Sequence, residues 1–192
     1  SICVITISKD TCVLVCLYAG SLEQVKTFVD SCVKRSAEDA ISLVGVQGGY
    51  LNPPITSLVI GIDAEQIGIP VYLKDSAIES PTMEAVQESI STAVEQNVKK
   101  CTSGFSSIPN VQIEEGEILV TTEIRENLVA VMVNYPLTLQ SGTSSASVSS
   151  FNAQIPSNLR QLYNSGAEIN QLSLSSPKEI CVSCLLDLEE RQ

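Results

Sequence analysis

"GEILVTTEIRENLVAVMVNYPLTL", residues 116–139, holds two strand-like runs around a short polar break. Both "GEILVTTEI" (116–124) and "LVAVMVNYPLTL" (128–139) are rich in β-branched residues, and Arg125, Glu126 and Asn127 between them form a polar turn. An antiparallel hairpin follows from that pattern, with Pro136 bending or interrupting its second strand. A third run, "SASVSSFNAQI" (145–155), comes after the serine-rich "QSGTSSAS" (140–147), which reads as a flexible turn or exposed loop.

Helical patterns flank this β block. Ser21 as N-cap and Gln24 three residues on form a capping box. From there Leu22, Val25, Phe28, Val29, Cys32, Val33, Ala37, Ala40, Ile41 and Val44 keep the three-four spacing of one core-facing stripe. A second helix is expected from a Ser80 cap with Pro81 in first position, its stripe being Met83, Val86, Ile90, Val94, Val98 and Cys101. Between the two helices, "SLVIGI" (57–62) and "IGIPVYL" (67–73) read as short strands, with Pro70 marking an edge or a bulge. A third helix is expected over 156–171, carrying Leu159, Leu162, Tyr163, Gly166 and Ile169 on one side. Ser176, Pro177 and Glu179 then open a further helix containing Cys181 and Cys184. This element order predicts an α+β fold, an antiparallel sheet packed on amphipathic helices.

The stretch "GVQGGYLNPP" (45–54) could be a ligand loop or a structural corner. A phosphate-cradling loop places its glycines after a strand and before a helix, with Lys and Ser or Thr following. Here the glycines follow a helix, so Gly48 and Gly49 are expected to end it in left-handed backbone. Pro53 and Pro54 forbid its continuation, and Tyr50 plugs the corner.

The N-terminal "SICVITISKDTCVLVCLYAG" (1–20) contains two apolar runs, neither approaching the roughly 18 residues a membrane helix needs. Their content of Ile, Val, Thr and Cys, apolar on both faces, favours strands buried on two sides. Residues 1–20 are therefore read as a β arm, and 21–192 as one α+β domain. The arm either folds back as a core hairpin or adds as a strand to a neighbouring subunit, burying Ile2, Val4, Ile5, Ile7, Val13, Leu14, Val15 and Leu17 there.

Composition narrows the function. A net charge of −11, from 11 basic against 22 acidic residues, lacks the cationic surface that nucleic acid or an anionic membrane requires. There is no histidine, so serine-triad, cysteine-histidine and zinc-histidine chemistry are all excluded. Glu114, Glu115 and Glu117 cluster, but their spacing is not that of a calcium loop, and a solvated turn is expected. No catalytic residue, metal or cofactor is assigned. Seven cysteines without paired metal motifs point to an oxidising compartment. Cys32 and Cys101, each on the apolar stripe of its helix, are the expected bridge. Cys181 and Cys184 form a lone C-x-x-C outside a thioredoxin-like context, read as structural disulfide chemistry. Cys3, Cys12 and Cys16 lie in the arm and are candidates for links between subunits. A chain opening at Ser1 is expected to be processed and exported.

"FVDSCV" (28–33), "LVGVQGGYLNPP" (43–54), "IPVYL" (69–73), "PTMEAVQESI" (81–90), "CTSGF" (101–105), "VNYPLTL" (133–139), "IPSNLRQLY" (155–163) and "CVSCLLDL" (181–188) together resemble an extracellular domain of surface proteins of small-genome archaea of the DPANN type. The resemblance spans roughly residues 22–188, and the family it points to has no assigned activity. Members of that family typically carry a pilin-like membrane helix ahead of the first amphipathic helix and further strands after the C-x-x-C. This sequence has the arm in the first place and stops at Gln192, and if its sheet lacks those late strands, something else is expected to cover the exposed edge. The expectation is a secreted, non-enzymatic subunit of an extracellular filament or cell-surface homopolymer, assembled by strand exchange of the arm and stabilised by disulfides. The alternative is a monomeric surface receptor or adhesin domain with an unknown ligand, using residues 141–150.

Overall fold

A computed structural model describes residues 9–54, 57–62, 65–103, 105, 112–141 and 144–175, the side chains of 9–21, 60, 62, 65, 66, 141 and 144 excepted. Its order is α1 (Lys9–Val46), β1 (Leu58–Ile62), β2 (Glu65–Ile69), β3 (Leu73–Lys74), β4 (Ala77–Ile78), α2 (Met83–Thr102), β5 (Gln112–Glu115), β6 (Leu119–Ile124), β7 (Leu128–Ser141), β8 (Ser144–Pro156) and α3 (Leu159–Ser175). Helices and antiparallel sheets make this an α+β chain, as the sequence pattern implies.

β7 is the axis of the main sheet. Along its whole length it pairs with β8, from Leu128↔Pro156 to Ser141↔Ser144. On its other side it pairs first with β6, from Val129↔Ile124 to Asn134↔Leu119, and then with β5, from Leu137↔Glu115 to Gln140↔Gln112. The change of partner falls at Pro136, which has no N–H to give to a ladder. Its carbonyl accepts from the N–H of Gly116 at 2.7 Å, and the β7–β8 register shifts between Asn134 and Leu137. Pro136 therefore leaves β7 a continuous strand and switches its neighbour.

The helices cover one face of this sheet. Val129, Val131, Val133, Tyr135, Leu137 and Leu139 of β7, with Phe151, Ala153 and Ile155 of β8, alternate inward and are buried. Against them lie Val25, Val29, Val33, Ala37, Ala40 and Val44 of α1, and Val86, Ile90, Val94 and Val98 of α2. Cys32 of α1 is joined to Cys101 of α2 by a disulfide closing a sequence separation of 69. In the chain-entropy description such a closure contributes about 4 kcal/mol. Phe28 belongs to the expected stripe yet is 40% exposed; it sits at its edge, meeting Phe105 edge-on with ring centroids 5.8 Å apart.

α3 spans Leu159–Ser175 and not 156–171, because Pro156 still pairs with Leu128 as the end of β8, and four further boundaries differ from expectation. α1 begins at Lys9, so Ser21 lies inside the helix and the backbone of residues 12–19, expected as strand, is helical. Apolarity on all sides fits a buried helix as well as a buried strand, and no proline separates this run from the amphipathic stripe. The run 2–7, with Cys3, Ile2, Val4, Ile5 and Ile7, lies outside the described residues. So do the side chains of Cys12, Val13, Leu14, Val15, Cys16 and Leu17, and all of Cys181 and Cys184. The cap of α2 is Thr82 rather than Ser80: its side chain accepts from the N–H of Ala85 at 3.2 Å, and Pro81 precedes the helix. The second short strand ends at Ile69, before Pro70, and Leu73–Lys74 instead pairs with Ala77–Ile78. Finally, the serine-rich segment is largely strand, since β8 starts at Ser144 and only 142–143 separate it from β7.

Candidate assembly surface

The corner after α1 is built from its glycines. Gly48 (φ +64°) and Gly49 (φ +91°) both take left-handed backbone. The Gly49 N–H returns to the Val44 carbonyl at 2.7 Å and the Gly48 N–H to Gly45 at 3.1 Å, so the last turn of α1 is closed by its own chain. The Gln47 side-chain amide donates to the Tyr50 and Leu51 carbonyls at 3.2 and 3.1 Å, and the Tyr72 hydroxyl donates to the Gly48 carbonyl. A Cβ on Gly49 would sit 2.8 Å from Val86 and 2.9 Å from Pro81, so the corner packs directly on the start of α2. Pro53 packs against Gly68 of β2, and the Tyr50 hydroxyl donates to the Glu79 carbonyl at 3.1 Å. Pro54 is exposed, its carbonyl accepting from Ser57 at 2.9 Å. The N–H groups of Gln47, Gly48 and Gly49 are thus spent within the corner, the first on the Leu43 carbonyl at 3.0 Å.

Beside the corner, α3 crosses the start of α2 and leaves an apolar groove of about 220 Å³ lined by Gly48, Tyr72, Met83, Leu162, Tyr163 and Gly166. α3 itself has no fully buried residue. It is held by the Tyr163 hydroxyl, which donates to the Pro81 carbonyl at 3.0 Å, and by the Arg160 guanidinium, which donates to the Ile124 carbonyl at 2.8 Å. Burial pushes the Tyr72 phenol above its ordinary value, with a further push from Tyr50. The phenol is a neutral donor at physiological pH.

The two edges of the main sheet differ. On the β6 edge, Gln87 of α2 accepts from the N–H of Ile124 at 2.9 Å and Arg160 of α3 takes the Ile124 carbonyl, so side chains stand in for a missing strand. Glu123 and Arg125 also place a surface ion pair there, at 2.6 Å, and β5 beyond is short and carries Glu114 and Glu115. The Glu114 carboxylate accepts from Gln140 at 2.9 Å and that of Glu115 from the Tyr135 hydroxyl, while Glu117 is exposed. On the β8 edge, no strand among the described residues pairs outside Ser144–Pro156, and that segment contains no charged residue. The β1–β2 hairpin stands apart from the main sheet, with Leu58, Val59 and Ile69 exposed.

Among the described residues no group of three or more His, Cys, Asp or Glu could hold a metal ion, and no helix is long and apolar enough to cross a membrane. Comparison with protein-family models, with curated proteins and with solved structures gave no match. That β8 forms an edge strand with no described partner outside it was not legible from sequence. Its serines mask a strand, although the absence of charge across 144–156 in so acidic a chain was a readable signal.

Proposed function

We propose that this chain is a non-enzymatic structural subunit of an extracellular filament or cell-surface homopolymer, assembling through its N-terminal arm. The observation that carries this reading is where the arm is attached. α1 reaches back to Lys9, about 24 Å along the helix axis from Val25, the first buried position described in it. The sequence from residue 2 to 19 is apolar but for Thr6, Thr11 and "SKD" (8–10), a surface that calls for burial. The arm thus combines a strand-forming run at 2–7 with a helical continuation, and Cys3, Cys12 and Cys16 offer covalent links between subunits. The Cys32–Cys101 bridge fits an oxidising compartment, and the resemblance to archaeal surface proteins accords with one.

Negative-stain electron microscopy of the unreduced chain, before and after deletion of residues 1–17, tests the proposal. Filaments that disappear with the arm support it, and assemblies that survive the deletion overturn it. The second reading, a monomeric surface receptor or adhesin domain, is favoured by the apolar groove beside α3. Monodisperse particles of the full chain that gain thermal stability with a small apolar ligand would support that reading.

A further inference from the structure

Resting on the assembly reading, we propose that the outer edge of β8 is the acceptor, and that its occupant is the run 2–7 of a second copy of this chain. An open edge presents a row of unpaired N–H and C=O groups that template another strand, and folded proteins blunt such edges with charge, short length or side-chain caps. The main sheet uses all three on its β5–β6 side, through Glu114, Glu115, the Glu123–Arg125 pair, and the Gln87 and Arg160 contacts to Ile124. Among the described residues no side chain caps the outer edge of β8, whose 13 residues carry no charge in a chain of net charge −11. Protection on one side and openness on the other mark β8 as an edge meant to be paired.

The occupant follows from composition and length. Residues 1–8, "SICVITIS", are likewise uncharged, and six of them form an unbroken strand-favouring run. Laid beside β8, one face of that run (Cys3, Ile5, Ile7) would extend the buried layer of Phe151, Ala153 and Ile155. The other face (Ile2, Val4, Thr6) would extend the outer surface next to Asn152 and Gln154. The run enters α1 at Lys9, some 24 Å along the helix axis from Val25, so reaching its own sheet would require it to double back along that helix. A neighbour's edge is the natural acceptor, and head-to-tail repetition of this contact gives an open polymer.

Hydrogen exchange read by mass spectrometry on the full chain, assembled and dispersed by dilution, tests this. The expected result is at least tenfold slower exchange over 145–155 in the assembled form, with 119–124 unchanged. Photoreactive benzoylphenylalanine replacing the exposed Asn152 is expected to capture a peptide from residues 1–8 of another chain. A polymer whose β8 amides exchange as fast as in the dispersed chain overturns the acceptor assignment and leaves the assembly reading standing. Equal protection of β8 in the dispersed chain also overturns it, because the edge is then covered from within. A chain that stays monomeric at every concentration removes both.

Discussion

Gly48 and Gly45 lie three residues apart in one turn of backbone and answer the same substitution in opposite ways. At Gly48 the backbone is left-handed and an added Cβ would fall 2.0 Å from the Tyr72 hydroxyl oxygen and 2.9 Å from Pro70, so neither strain nor overlap can relax cheaply. Gly48→Ala is expected to cost roughly 2–4 kcal/mol, read as a lower urea midpoint. Gly45 is helical and its Cβ would meet open space, so Gly45→Ala is expected to raise stability by about 0.5–1 kcal/mol in the same assay. Tyr135 makes a different case. Burial first, then its hydrogen bond to the Glu115 carboxylate, pushes its phenol up to about 12. The unfolded phenol ionises near pH 10, so the stabilisation from the neutral form is full below that value and is lost as pH rises from about 10 to about 12. Urea titrations at stepped pH are expected to show a steeper alkaline loss for the native chain than for Tyr135→Phe. At neutral pH that variant gives up only about 1 kcal/mol.

Among the elements, α1 and α2 are the pair that carries most. The disulfide ties the middle of α1 to the last turn of α2, and replacing both cysteines with serine is expected to lower unfolding free energy by about 4 kcal/mol, measured by denaturant titration. α3 is the opposite: with no buried residue, its amides are expected to exchange well before those of α2 or β7 under native conditions. How far each element could be read beforehand follows from what fixes it. The α1 and α2 stripes and the β6–β7 hairpin were legible because one buried face imposes a clean period, and the position of Cys32 and Cys101 on those stripes made their bridge legible too. The start of α1 was not, because a run that is apolar on every side has no period to read. The cap of α2 lies two residues beyond the expected Ser80 because Ser80 and Thr82 are both competent acceptors and sequence alone does not choose between them. β8 was underestimated because its ladder is set by β7 and not by its own serines. The corner's glycine order was readable, whereas the groove beside it depends on where α3 crosses, which no local pattern encodes.

For the molecule as a whole, an acidic surface and an uncharged sheet edge act against each other. If the chain assembles as proposed, copies of net charge −11 repel at low ionic strength, while backbone pairing along β8 would be nearly indifferent to salt. Assembly is therefore expected to speed up as sodium chloride rises from about 10 mM to about 150 mM, where the screening length falls from about 30 Å to about 8 Å. Light scattering at fixed protein concentration reads this directly, and assembly slowed by salt would count against a neutral contact between acidic subunits. The disulfide has a mechanical consequence in such a polymer. Tension entering through the N-terminus travels down α1 only as far as Cys32, then crosses covalently to Cys101 and leaves through the segment that feeds the main sheet. Everything between those two cysteines, including the glycine corner, the small hairpins and nearly all of α2, lies on a slack branch. A pulled subunit would lengthen by the chain outside the bridge alone, and the intervening loop would keep its shape under load.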